Sequence, residues 1–266
     1  MLEICALASG SKGNCVVVAG AKTKIIVDIG LSLRRYESAL SVCNLKAEAI
    51  SACLITHEHI DHIRGAKRIT EKYRLPLHAH PSCANILINN WGVKQDYLAD
   101  FIMSGFSIGE LFIEPFEVSH DSVFTVGYRI SDAESSFVYA TDCGYCSDKF
   151  LAMAKDADTV LIESNHDVNM LLQGRYPAHL KRRILSNNGH LSNLACACAI
   201  EKLANGRPKN FILAHISEEN NIYELALSYT QKRLTEAGLE NVKLFVATQN
   251  QPTGFIRCKN DGYKEV

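Results

Sequence analysis

Thr56-His57-Glu58-His59-Ile60-Asp61-His62 follows directly on the apolar run Ala52-Cys53-Leu54-Ile55. A short apolar run reads as a buried strand, and the residues that end it are of metal-ligand type. Residues two apart on an extended segment face the same way, so His57 and His59 can grip one ion. Asp61 and His62, at the start of an expected helix, can aim at a second. Three later segments repeat the construction. Ile113 to Val118 leads to Ser119-His120, Phe137 to Ala140 leads to Thr141-Asp142, and Phe211 to Ala214 leads to His215. Apolar runs that finish on such residues are expected where strand ends converge on one edge of a sheet. The pattern therefore predicts a centre for two divalent metal ions. His57, His59 and His120 would hold one, Asp61, His62 and His215 the other, with the Asp142 carboxylate bridging both. Imidazole and carboxylate together suit zinc and manganese.

The order His57-x-His59-x-Asp61-His62, then His120, Asp142 and His215, resembles the metallo-β-lactamase fold superfamily of hydrolases. Within it, four stretches resemble the YycJ (VicX, WalJ) group: Leu7-Ala8-Ser9-Gly10-Ser11-Lys12-Gly13-Asn14, Glu163-Ser164-Asn165-His166-Asp167, Gly189-His190-Leu191-Ser192-Asn193, and Ala214-His215-Ile216-Ser217 with Asn220-Asn221. The resemblance runs almost end to end. It implies an α/β fold of the αββα kind, two mixed β-sheets packed face to face with helices on the outer faces. It also implies a phosphodiesterase acting on nucleic acid, in its most specific form a 5′ to 3′ DNA exonuclease. The loop carrying Ser9, Ser11 and Asn14 is thereby placed beside the active site as a substrate-binding candidate. His190 resembles a histidine that lies by the scissile phosphate in transfer-RNA 3′-processing enzymes, so it is expected to serve the leaving 3′ oxygen. With Asp61 to orient the attacking hydroxide and Asp142 to bridge, the expected catalytic set is Asp61, Asp142 and His190. Asn165 and His166 read either as lining the substrate groove or as a satisfied surface loop. Asp28, ending Ile25-Ile26-Val27, is expected to orient a ligating histidine without touching metal.

Other readings compete. A small-molecule ester or thioester hydrolase of the glyoxalase or lactamase kind usually carries small residues around the third histidine, as in Gly-His-Thr, whereas this chain has Ser119-His120-Asp121. The stretch from Asp142 to His215 is too short for the inserted domain of β-CASP nucleases. A structural metal domain would be closed and cysteine-rich. The turn Ser9 to Asn14 lacks the Gly-Lys-Ser/Thr of a P-loop.

Bulk properties set the frame. A chain of 266 residues, 47% of them hydrophobic, can bury a large core. The ligands span His57 to His215 with no Pro/Gly/Ser-rich linker, so residues 1–266 read as one domain. The ten cysteines, scattered from Cys5 to Cys258, lack secreted-domain spacing and read as reduced, small buried hydrophobes. Cys143-Gly144-Tyr145-Cys146 has a zinc or redox spacing, but no second pair follows. With no basic leader and no run approaching the roughly 18 apolar residues of a span, the expectation is a cytoplasmic protein with no membrane partner. The sequence specifies no oligomeric state. A net charge of −1 argues against broad nonspecific binding to nucleic acid, which draws on many phosphate contacts. Arg175 and Lys181-Arg182-Arg183 form a local basic patch, either flanking the metal edge, with Lys181 and Arg182 as substrate contacts, or solvating a helix face.

Periodicity predicts strands at Leu2–Leu7, Cys15–Val18 and Ile25–Asp28, then a helix from Gly30 to Cys43. It predicts one helix from Asp61 through Tyr73, another from Ser82 to Asn90, and antiparallel strands between Phe101 and Ile130. Strand and helix then alternate: Val160–Glu163, Leu180–Leu185, Asn193–Leu203, Phe211–Ala214, Ile222–Ala237 and Val242–Ala247. No internal sequence repeat is evident.

Overall fold

The computed structural model describes residues 1–259. Its first half runs β1 (Glu3–Ala8), β2 (Cys15–Ala19), β3 (Lys24–Val27), α1 (Leu33–Val42), β4 (Ala52–Leu54), α2 (Ile60–Ile63), α3 (Ala66–Tyr73), β5 (Leu77–His78), α4 (Pro81–Asn89) and β6 (Leu98–Ala99). The second half continues with β7 (Phe106–Ile108), β8 (Leu111–Val118), β9 (Thr125–Ser131), β10 (Ser136–Ala140), α5 (Asp148–Lys155), β11 (Thr159–Glu163), α6 (Val168–Gln173), α7 (Ala178–Ile184) and α8 (Asn193–Ala204). It closes with β12 (Asn210–Ala214), α9 (Tyr223–Glu236), β13 (Lys243–Val246) and β14 (Ile256–Arg257).

Two seven-stranded sheets form, in the orders β14-β1-β2-β3-β4-β5-β6 and β13-β12-β11-β10-β9-β8-β7. In the first, β14 through β3 pair antiparallel and β3 through β6 parallel. The second has β7 through β10 antiparallel and β10 through β13 parallel. The halves thus repeat one connectivity, an antiparallel meander followed by parallel strands joined through helices. The likeness is of topology alone, which is why the sequence shows no repeat.

Side-chain alternation builds the layers. In β1, Ile4 and Ala6 face the opposite sheet, while Cys5 and Leu7 face the helices outside. The same division yields a central core between the sheets and an outer core under the helices on each side. The parallel strands are buried on both faces and therefore read as continuous apolar runs. Ser32, Ser147, Asp167 and Ser192 cap α1, α5, α6 and α8 by accepting from backbone N–H groups.

The helix expected from Asp61 to Tyr73 is two helices. Gly65 donates its N–H to the Ile29 carbonyl at 2.9 Å, and a Cβ there would stand 2.3 Å from the Leu31 carbonyl oxygen. The close pass against the loop after β3 breaks the helix. Periodicity also missed α5 and α6, and the two-residue strands β5, β6 and β14 are too short to show a period. No described helix is long and apolar enough to cross a membrane.

Candidate metal centre

The carboxyl ends of β3, β4, β10, β11 and β12 deliver Asp28, His57, Asp142, Glu163 and His215 to one edge of the sandwich. His59, Asp61 and His62 follow from the β4 turn and α2, and His120 from just beyond β8. All seven predicted ligands meet there. One donor atom each from His57, His59 and His120 lies within 4.8 Å of the others, and the same holds for Asp61, His62 and His215, and for His57, His62 and Asp142. Asp142 sits between the two triads. Its carboxylate oxygens are 3.1 Å from His62 Nε2, 3.7 Å from His120 Nε2 and 3.5 Å from His215 Nδ1.

Hydrogen bonds fix which ring nitrogen faces inward. His62 donates from Nδ1 to Asp28 at 2.8 Å, His215 from Nδ1 to Glu163 at 2.7 Å, and His120 from Nδ1 to the Gly189 carbonyl at 3.1 Å. The Thr56 hydroxyl gives its proton to Asp28 and so accepts from His57 Nδ1 at 2.9 Å. Each of these four rings therefore carries its proton on Nδ1 and turns a bare Nε2 lone pair to the centre. His59 is reversed, since its Nδ1 stands 3.2 Å from His120 Nε2. His57 Nε2 is buried without a partner. Converging nitrogen lone pairs beside carboxylates are what a divalent cation requires, so the residues fit the metal chemistry that the sequence implied.

Around these residues stand carboxylates that hold the ligand rings from behind. Asp28 is fully buried and accepts from the Thr56 N–H, the His62 ring and the Tyr139 hydroxyl, the orienting part expected of it. Glu163 enters the sequence reading only as the start of a motif, without a role of its own, although it ends an apolar run. Its Oε1 accepts from His190 Nδ1 at 2.8 Å and from His215 Nδ1, while Oε2 accepts from the N–H groups of Cys143 and Leu191. Asp28, Asp142 and His215 all adopt left-handed backbone at φ 61°, 54° and 52°. For residues other than glycine that conformation costs about 1–2 kcal/mol. Its recurrence at three strand ends marks strain concentrated at the site.

Charge follows the geometry. Burial alone would push the Glu163 carboxyl up, but the His190 and His215 rings outweigh it and hold it at about 2. Burial likewise acts to lower His62 and His215, and the carboxylates Asp142, Asp28 and Asp61 for the one, Asp142, Asp61 and Glu163 for the other, raise both above the ordinary range. His57 is lowered by burial and by the neighbouring His62.

The remaining expected residues divide. Asn14 lies at the centre, with Nδ2 3.2 Å from Asp61 Oδ2 and 3.1 Å from His62 Nε2. Ser11 stays exposed at the loop tip. Ser9 and Asn165, expected as substrate contacts, are buried and occupied with the backbone of His215: Ser9 Oγ accepts its N–H at 2.8 Å and Asn165 Nδ2 donates to its carbonyl at 2.9 Å. His166 fits neither expectation. It is buried, both ring nitrogens lack a partner, and burial holds its pKa down at about 4. Lys181 donates to the Leu172 carbonyl and Arg182 is exposed. From that basic run it is Arg183 that reaches the edge, pairing with Asp121 beside His120. The cysteines of the described residues are all free thiols.

A model of the beta-lactamase superfamily domain matches residues 23–216. The chain is 41% identical over 238 residues to "Exodeoxyribonuclease WalJ" of Streptococcus pneumoniae strain D39, covering 88% of each. It is 37% identical over 240 residues to "Exodeoxyribonuclease YycJ" of Bacillus anthracis, covering 89% of this chain and 90% of that one. Among solved structures, the metallo-beta-lactamase fold protein YhfI from Bacillus subtilis shares the fold, with TM-score 0.71 at 16% identity over 94% of this chain and 98% of that one. Strand order, converging histidines and these likenesses agree: the chain belongs to the beta-lactamase superfamily and, within it, to the family of the WalJ and YycJ exodeoxyribonucleases.

Proposed function

We propose that the chain is a phosphodiesterase dependent on two divalent ions, zinc or manganese, that degrades DNA from the 5′ end. What carries the reading is 41% identity to a named exodeoxyribonuclease across 88% of both chains. His57, His59 and His120 would hold one ion and Asp61, His62 and His215 the other, with Asp142 bridging. When bound, the ions supply Lewis acidity and a water made nucleophilic at neutral pH. Asp61, held by Asn14 at 3.2 Å and facing His215 Nε2 at 3.3 Å, orients the attacking group. Glu163 accepts a hydrogen bond from His190 Nδ1 at 2.8 Å, which orients the ring and leaves an Nε2–H to protonate the departing 3′ oxygen. Glu163 also raises the His190 pKa, its carboxylate outweighing the lowering effect of burial. Reduced cysteines support a cytoplasmic setting.

End-labelled DNA and RNA, single- and double-stranded, incubated with the protein in manganese test this reading. Stepwise loss from the 5′ end of DNA is the expected result. Faster cleavage of a thioester or lactam than of any nucleic acid overturns it. Elemental analysis should find about two metals per chain, with Asp142→Ala depleting both and His57→Ala mainly one.

A further inference from the structure

All ten cysteines are free thiols, and among the described residues one hydrogen bond joins two of them: Cys5 Sγ stands 3.4 Å from Cys43 Sγ. Cys143 and Cys146, whose spacing is that of a redox pair, make no such contact among the described residues. The two sulfurs that meet come from unlike settings. Cys5 lies in β1, paired with Val17 of β2. On its other side the next residue, Ala6, exchanges hydrogen bonds with Thr253, donating its N–H to the hydroxyl and accepting the Thr253 N–H, each at 3.1 Å. The Cys5 side chain is wholly buried. Cys43 ends α1, half-buried between Val42, 68% exposed, and Asn44, whose backbone is left-handed at φ 55°. Its N–H is shared between the Ala39 and Leu40 carbonyls at 3.3 and 3.0 Å. The last turn of a helix opens more readily than a strand inside a sheet. A sulfur–sulfur bond of about 2.05 Å therefore needs Cys43 to approach by about 1.4 Å while β1 stays in place.

That asymmetry orders the chemistry. A small disulfide meets Cys43 first. The Cys43 thiolate attacks one of its sulfurs, breaks the small disulfide bond and releases one thiolate; Cys5 loses its proton, attacks the Cys43 sulfur and expels the second. The released thiolates take up the two protons, so the protein gives up two electrons and two protons and one small disulfide becomes two thiols. Burial first, and the Cys43 sulfur after it, push the Cys5 thiol up to about 12, which makes its attack the slower step.

We propose that Cys5 and Cys43 are a reversible redox pair, closed into a disulfide by an oxidised low-molecular-weight thiol such as glutathione disulfide, which ties the end of α1 to β1. Transient, redox-responsive pairs are the kind found where most thiols stay reduced. A bond across a separation of 38 residues restricts the unfolded chain far more than the folded one. Protein equilibrated with glutathione disulfide, alkylated and digested without reductant should yield a Cys5–Cys43 cross-linked peptide that dithiothreitol abolishes. Calorimetry after removal of the small thiols should show the oxidised protein melting about 5–15 °C above the reduced one. Cys43→Ser alters only a half-buried helix end and so tests the pair in a folded chain; it should keep Cys5 as a thiol and show no gain in Tm on the same treatment. Glutathione held on Cys43 at equilibrium with Cys5 still free, cross-links that join other cysteines instead, or an equal gain in Tm in Cys43→Ser overturns the proposal.

Discussion

His190 and His215 hang from the same oxygen of Glu163, yet their outer nitrogens meet different surroundings. His215 Nε2 faces Asp61 at 3.3 Å, while His190 Nε2 has no hydrogen-bond partner among the described residues, on a ring that is 19% exposed. His190→Ala should therefore keep both metals and lose about 10² to 10⁴ in turnover on DNA, the scale of a general acid. A 4-nitrophenyl phosphodiester, whose leaving group needs no proton, should recover most of that rate. Equal loss on both substrates with the metals retained would make phosphate contact the better role, and loss of metal would move His190 into the ligand set. Of the proposed ligands, His57, His120, Asp142 and His215 were readable because each comes at the end of an apolar run, with His59, Asp61 and His62 in the same turn as His57; Glu163 also ends such a run, but only the fold shows it bonded to His190 and His215. The left-handed backbone of Asp142 and His215 was not legible, since no residue type demands it there. Ser9 and Asn165 were read as substrate contacts because polarity near a site says nothing of direction; only the fold shows them turned to the His215 backbone.

At the scale of elements, the loops after β1 and β3 and the start of α2 pack without room for a methyl group. Asn14 exchanges backbone hydrogen bonds with Asp61 and Gly30, and a Cβ on Gly30 would stand 1.6 Å from the Asp61 carbonyl oxygen. Gly30→Ala should cost about 1–3 kcal/mol in denaturant unfolding, as overpacking does, and should lower metal content by displacing Asp61. A second contact ties the two sheets. Glu110, at the β7–β8 turn, accepts from the Thr23 hydroxyl and from the N–H groups of Lys22 and Thr23 at the β2–β3 turn. These bonds, the Thr23 hydroxyl first, hold its carboxyl at about 2 against an ordinary 4.5. A depressed folded value means that stability is present above about 4.5 and lost as pH falls through about 2. Unfolding measured at pH 6 and pH 3 should show that Glu110→Gln shrinks the difference between them. Parallel strands were readable because burial on both faces leaves no polar position, whereas the break at Gly65 was not, because its cause lies in a loop distant in sequence.

At the scale of the molecule, the proposed ligands come from both halves, His57, His59, Asp61 and His62 from the first and His120, Asp142 and His215 from the second. Metal binding should therefore hold the halves together and stabilise the fold by about 4 kcal/mol at a free concentration 1,000 times Kd. Calorimetry with and without chelator should show Tm falling as metal is withdrawn; an unchanged Tm would mean that the ions contribute nothing to the folded state. The closing of the first sheet follows another logic. β14 returns to β1, pairing Arg257 with Glu3 and Ile256 with Ile4, and the Cys258 carbonyl accepts from Thr159 and Asn210 of the other sheet. On a ribosome, which delivers the amino end first, the outer edge of β1 stays open until residues 256–258 emerge. An unpaired strand edge is a template for a neighbouring chain. The molecule is thus most vulnerable to sticking to its own copies while it is being made, and a segment only a few residues long ends that vulnerability.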